Sequence, residues 1–225
     1  CIIENETLIN FFENDSLFSC SIDEPIIVVN KYLGYKIECV LKNFVFDKKL
    51  KTVKYNVYPN FSEYGPTEKF PKEIIQKNRN EAYYGSLAHF LTCLTKMGPE
   101  FKQDGFEINF LDGNFLFGSV DSAKQIVMYD EVSDLFYLEP ARGAYKKYRN
   151  WRNIGQNIIG LKISYISSSK EYYSQLIPNK RRIAFGKGGN FLNQADYIIF
   201  GDMAKDGVAS MLPLFWESSK DVNGK

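Results

Sequence analysis

The chain predicts an α+β fold: a largely antiparallel β-sheet, one long amphipathic helix and a short C-terminal helix. Three observations carry that reading. Residues 35–41 alternate apolar and polar side chains with a period of two, the pattern of a strand with one face on a core. Residues 71–97 place Leu87, Phe90, Leu91 and Leu94 at three- and four-residue spacings, an apolar stripe along a helix. Strand-like runs then resume at residue 106 and recur to about residue 200, with turn residues between them.

The first 60 residues read as a β-meander spanning about 17–58. Residues 17–22 form a short strand ended by Asp23, Glu24 and Pro25, residues 25–29 form a second, and residues 30–34 supply turn material. In the next strand Tyr35, Ile37, Cys39 and Leu41 share one face. At Asn43 the pattern slips, because Phe44 and Phe46 take the opposite parity, and a β-bulge is expected there. Asp47, Lys48 and Lys49 make a turn, and Val53, Tyr55 and Val57 alternate again until Pro59.

A polar connector with Gly65 and Pro66 leads to a helix over about 71–97, with Pro71 suited to its first turn and Gly98-Pro99 as its stop. Gly85 lies mid-pattern, where glycine costs roughly 1 kcal/mol relative to alanine, so a close packing contact is expected to require it. Further strands are predicted at 106–110, 125–129, 135–138, 161–166, 182–185 and 193–200, and a short helix at about 203–211 ended by Pro213. These elements make one domain over 1–216, with a loose polar tail at 217–225.

Composition narrows the function classes. Hydrophobic residues make up 44% and charged residues 24%, an ordinary globular mixture. The aromatic share of 16% suits a β-rich core or a contact surface. A net charge of +1 provides no general field for nucleic acid, and no apolar run approaches the ~20 residues of a membrane span. Nucleic acid is therefore not an expected partner, and no transmembrane span is expected. Cys1, Cys20, Cys39 and Cys93 form no C-x-x-C pair, so a structural zinc site is not expected. Cys39 on a strand and Cys93 on a helix read as buried thiols.

A zinc peptidase needs two histidines on the usual pattern, and the chain holds one, His89. Asp112-Gly113-Asn114 and the 202–206 segment lack a calcium-loop pattern, so no metal and no cofactor is predicted. Ser86, His89 and Cys93 stand three and four residues apart and share a helix face, which makes them the candidate catalytic set. Helix neighbours project roughly parallel, however, which is poor geometry for aiming a nucleophile. The apolar residues around them favour a packed histidine. Lys77-Asn78-Arg79 reads as a solvated helix face or an ion pair with Glu73 or Glu81. The candidate binding segment is Tyr145, Lys146, Lys147, Tyr148, Arg149, Trp151 and Arg152, cations for anionic groups interleaved with rings for stacking. The glycine-rich stretch at 186–190 lacks the order of a phosphate loop and reads as a hairpin turn.

Several stretches resemble a known family. They are Cys1-Ile2-Ile3-Glu4-Asn5, the run 23–37 that begins Asp23-Glu24-Pro25, Lys77-Asn78-Arg79, and the segment holding Ala82, Tyr83, Tyr84, Gly85, Ser86, Leu87, His89, Phe90 and Leu91. Residues 185–193 and 211–214 fit more loosely, and 115–160 depart most. The chain resembles the C-terminal region of Bacteroidetes carboxypeptidase-like regulatory domain-containing envelope proteins, a region of unassigned function. That label names a sandwich module, not an activity, and it carries no catalytic residues over. The resemblance implies an exported protein of the periplasm or outer membrane. With no catalytic set in view, the expected function is a non-enzymatic interaction or scaffold domain whose partner is an envelope protein or surface polymer. A hydrolase acting on an envelope polymer or peptide through His89, and a glycan-binding module, are the alternatives.

Overall fold

The computed structural model describes residues 1–49, 52–147, 159–168, 171–204, 211–213 and 216. It is an α+β arrangement in which all strand pairing is antiparallel, divided among three sheets rather than one. The described residues fall into two compact units, each with its own apolar cluster, where the sequence reading places one domain over 1–216. Residues 1–82 with 211–213 make the first, and residues 83–204 with Trp216 make the second.

The first unit is built on six strands: β1 (Ile2–Ile3), β2 (Asn10–Glu13), β3 (Leu17–Ser21), β4 (Ile26–Asn30), β5 (Tyr35–Asp47) and β6 (Thr52–Glu63). Their order is β1-β4-β5-β3-β2, with β6 on the other side of β5. One flank of β5 is shared, because β4 pairs with its residues 35–39 and β3 with its residues 45–47. The expected bulge is present, as a register shift between Leu41 and Asn43. β6 runs on through Pro59 to Glu63, past the end expected at that proline. Pro59 pairs with Cys39 on an edge strand, where a residue lacking an N–H is tolerated.

The helix that follows is shorter than predicted. α1 (Lys72–Tyr83) stops, and α2 (Leu87–Thr95) starts afresh after Gly85 takes a left-handed φ of +85°. Ser86 caps α2, its Oγ accepting from the backbone N–H of His89 at 3.2 Å. Gly85 does make the close contact expected of it, since a Cβ there would lie 2.7 Å from a Tyr165 ring carbon and 2.8 Å from one of Tyr172. The stripe of Leu87, Phe90, Leu91 and Leu94 lies wholly within α2 and says nothing of the residues before Gly85.

α1 is tied to the first unit by the run expected to be solvated. Asn78 is buried and donates to the Tyr32 carbonyl at 2.8 Å. Arg79 lies 3.9 Å above the Tyr35 ring, and donates to the Leu33 carbonyl at 2.8 Å and to Glu63 at 2.7 Å. Lys77 alone keeps the expected exposed pairing, with Glu81 at 4.0 Å.

The second unit holds β7 (Phe106–Asp112), β8 (Phe115–Ser119), β9 (Val127–Asp130), β10 (Leu135–Leu138), α3 (Pro140–Lys147), β11 (Ile159–Ile166), β12 (Glu171–Pro178), β13 (Ile183–Phe185) and β14 (Tyr197–Gly201). They form a five-stranded sheet, β14-β12-β11-β7-β8, and a three-stranded sheet, β13-β10-β9. Phe90, Leu91 and Leu94 of α2 join Phe106, Phe110 and Ile163 in a fully enclosed core. β12 escaped the sequence reading because its inward face is Tyr172, Ser174 and Leu176. The buried serine breaks the apolar alternation, and its Oγ accepts from the Met203 N–H at 3.0 Å. Of the helix expected at 203–211, the structure has one 3-10 turn, Asp202–Ala204, and residues 205–210 and the tail 217–225 lie outside the described residues.

Candidate functional site

The three candidate catalytic residues do come together, but as a helix cap and its packing. His89 is 5% exposed. Its ring sits among Tyr83, Tyr84, Phe106 and Tyr165, with centroid distances of 4.9 to 5.8 Å. Nδ1 accepts from the Gly85 backbone N–H at 3.2 Å, so the ring's lone pair satisfies a donor left over at the helix break. Burial lowers the His89 pKa to about 4, which keeps the ring neutral at physiological pH. Ser86 Oγ bonds the backbone of His89, not its ring.

Cys93 is buried and its thiol is pushed up, first by burial and then by its hydrogen bond to Asp104. A thiol raised in this way is a poor nucleophile, because the thiolate is the reactive form. For Asp104, burial acts upward, but hydrogen bonds from Lys96 and Cys93 outweigh it and hold the carboxyl below its ordinary value. Lys96 Nζ reaches Asp104 at 2.6 Å. The cluster therefore reads as a polar clasp on the end of α2.

The candidate binding segment begins on the last turn of α3. Tyr145 and Lys146 are exposed there, while Ala144 is buried and packs in the core. The side chain of Lys147 and all of Tyr148, Arg149, Trp151 and Arg152 lie outside the described residues. The glycine-rich turn closes as a hairpin, with Gly186 N–H donating to the Asn190 carbonyl at 2.9 Å and Phe185 bridging Phe191. Gly189 is packed onto α2, where a Cβ would lie 2.2 Å from the Ala88 carbonyl oxygen.

A feature the sequence reading missed lies on the first unit's sheet. On β5 and β6 the paired positions Ile37–Phe61, Cys39–Pro59 and Leu41–Val57 share one face. Past the bulge the pairs on that face become Phe44–Tyr55 and Phe46–Val53. The bulge thus keeps the aromatic residues on the side that carries the core. Without it, Asn43, Val45 and Asp47 would occupy that side. Phe46 is paired with Phe18 of β3, and the alternation carries the face on through Cys20 to its β2 partner Phe11. Phe11 stacks on Phe18 at 5.6 Å, and Phe18 meets Phe44 edge-on at 6.3 Å.

The two halves of this face differ in cover. In the near half Val28, Tyr35, Ile37, Cys39 and Val57 are buried, and Ala82 of α1 and Leu212 pack against them. In the far half, made by β2, β3 and residues 43–47 and 53–56, no described residue is buried, and Phe11 is 60% exposed. The parity slip at Asn43 was the signal for this face. Followed through the pairing, it places Phe44 and Phe46 in line with the core.

No protein-family model matches the chain, and neither does any curated protein or solved structure. Among the described residues no group of three or more His, Cys, Asp and Glu is placed to hold a metal ion, and no helix is long and apolar enough to cross a membrane. The four cysteines are free thiols, with Cys39 and Cys93 buried.

Proposed function

We propose that the chain is a non-enzymatic interaction or scaffold domain of an exported bacterial envelope protein, and that the aromatic far half of its six-stranded sheet is the contact surface. Export rests on the resemblance to the envelope family. The contact role rests on one observation: a core-type face continues past its cover with Phe11, Phe18, Phe44 and Phe46 on it and no buried residue. Contiguous exposed apolar patches on a soluble unit mark interaction sites.

The hydrolase alternative draws no support from His89, whose Nδ1 is occupied by Gly85 and whose ring is enclosed by aromatics. A glycan site needs hydrogen-bonding groups beside its stacking rings, and on this face the carboxylate of Glu13 is already held by Lys48 at 2.6 Å. Tyr145 and Lys146, exposed at the end of α3, remain a second candidate surface.

Affinity capture of the full-length tagged protein from cross-linked cells tests the reading. The paired substitution Phe11→Ser with Phe44→Ser is expected to remove captured envelope partners while leaving the unfolding midpoint in place. Capture unchanged by the pair would overturn this surface.

A further inference from the structure

We propose that the chain carries an oxyanion-binding site where β10 and β13 meet the start of α3, with Arg181 as the recognising residue, Glu139 as the carboxylate that positions it and Arg182 as a second cation. The site belongs to the second unit and is independent of the aromatic face, so it goes beyond the interaction-domain reading without resting on it.

Glu139 stands between the last residue of β10 and Pro140, the first of α3. Its side chain is 3% exposed, and Oε1 accepts from Arg181 Nε at 2.7 Å. The arginine side chain, by contrast, is 80% exposed. The strongest pairing of a guanidinium with a carboxylate is bidentate, two parallel N–H bonds to two oxygens. Glu139 takes Nε alone, and among the described residues neither Nη nitrogen is bonded. The guanidinium is planar and rigid, so the bond at Nε holds it from behind while its terminal fork of N–H donors stays open to solvent.

Arg79 shows the structural use of an arginine in the same chain. Its side chain is 11% exposed, with Nε donating to the Leu33 carbonyl at 2.8 Å and Nη2 to the Gly34 carbonyl at 3.3 Å and to Glu63 at 2.7 Å. There the cation is enclosed and the acid is the exposed partner, at 66%. At Arg181 the order is reversed, with the acid enclosed and the cation presented. Neutralising Glu139 needs one bond and does not need a guanidinium whose two terminal nitrogens remain free.

Charge gives the sign of the ligand. The register that pairs Leu138 with Ile183, continued by one residue, sets Arg182 opposite Glu139. The Arg182 guanidinium lies 5.9 Å from the centroid of the Tyr137 ring and forms no ion pair among the described residues. Lys180 is already held by Asp196 at 2.7 Å. With Glu139 matched by Arg181, the charge of Arg182 is in excess, and the cluster favours an anion. A carboxylate or phosphate group fits, because its oxygens accept both N–H bonds of an arginine fork. A guanidinium that is already oriented also loses less freedom on binding than an untethered one.

The test follows the Nε–H signals of Arg181 and Arg182 in the full chain by nuclear magnetic resonance, during titration with inorganic phosphate and, separately, with glucuronate. A saturable shift of both signals is expected with at least one probe, and the tighter probe identifies the group as phosphoryl or carboxylate. Arg181→Lys keeps the charge but not the fork, and binding read from the Arg182 signal should weaken about tenfold. Glu139→Ala separates positioning from charge. It makes the cluster more positive, yet binding is expected to weaken, because Arg181 is no longer held. Thermal unfolding checks that each variant is folded. Arg182→Gln, a change at an exposed side chain, should weaken binding about threefold without loss of stability. Absence of a saturable shift with both probes overturns the site, as does equal binding by Arg181→Lys, and tighter binding by Glu139→Ala overturns the positioning role. The Phe11→Ser/Phe44→Ser pair should leave binding of both probes unchanged, which keeps failure here distinct from failure of the aromatic surface.

Discussion

Phe106 and Phe44 both stand on long antiparallel strands with pairing on each side. Phe106 on β7 is fully enclosed, meeting His89, Phe90 and Tyr165 within 5.4 Å, whereas Phe44 on β5 is only half-buried and keeps company with the edge of Phe18. The second unit brings α2 onto its aromatic residues. The first unit covers the near half of its sheet and leaves the far half uncovered. An aromatic residue on a strand is thus no sign of a core by itself. What decides is whether another segment of the chain supplies the other wall.

If that contrast is right, the same truncation should have opposite consequences in the two places. Phe106→Ala opens a cavity in a filled core and is expected to cost about 3–5 kcal/mol. Phe44→Ala removes a side chain from an uncovered surface and should stay within about 1 kcal/mol. Denaturant unfolding of the two variants measures the difference, and equal costs would mean that the far half is core after all.

His89 sharpens the description of the second unit. Its folded pKa of about 4 lies below the ordinary 6.5. Between those values the unfolded chain binds a proton that the folded chain refuses, so stability is fully present above about pH 6.5 and is lost as pH falls toward 4. The shift corresponds to roughly 3 kcal/mol at most. Unfolding followed from pH 7 to pH 4 should show this slope, and His89→Gln should flatten it. An unchanged slope in the variant would assign the proton to another group.

Gly85→Ala comes next in size. The substitution meets a left-handed φ of +85° and a Tyr165 ring carbon at 2.7 Å, which together are expected to cost about 2 kcal/mol. Thermal unfolding checks it, and a neutral result would mean that the α1–α2 break relaxes without penalty.

Much of the strand framework was legible from alternation and from short apolar runs between turns. The strand at 35–47 and the bulge at Asn43 follow from the parity of apolar residues, and those at 17–21 and 135–138 from short apolar runs bounded by turn residues. The break in the helix was not, because Leu87, Phe90, Leu91 and Leu94 all lie beyond Gly85 and keep their phase within α2. β12 was hidden by Ser174, and β2 by having no buried face at all. For the candidate site, the enclosure of His89 followed from its apolar neighbours, but its bond to Gly85 needed the left-handed turn to be known. The open face depends on pairing between strands far apart in sequence, and the order of apolar residues along a single strand does not specify which strands it meets.

Site-specific photo-crosslinking in cells tests the central claim most directly. A photoreactive phenylalanine analogue at position 11 lies on the open face, and one at position 198 lies on β14 of the second unit, where Ile198 is also exposed. The account predicts a discrete protein adduct from position 11 and none from position 198. Absence of an adduct at position 11, or the same adducts from both positions, would contradict it.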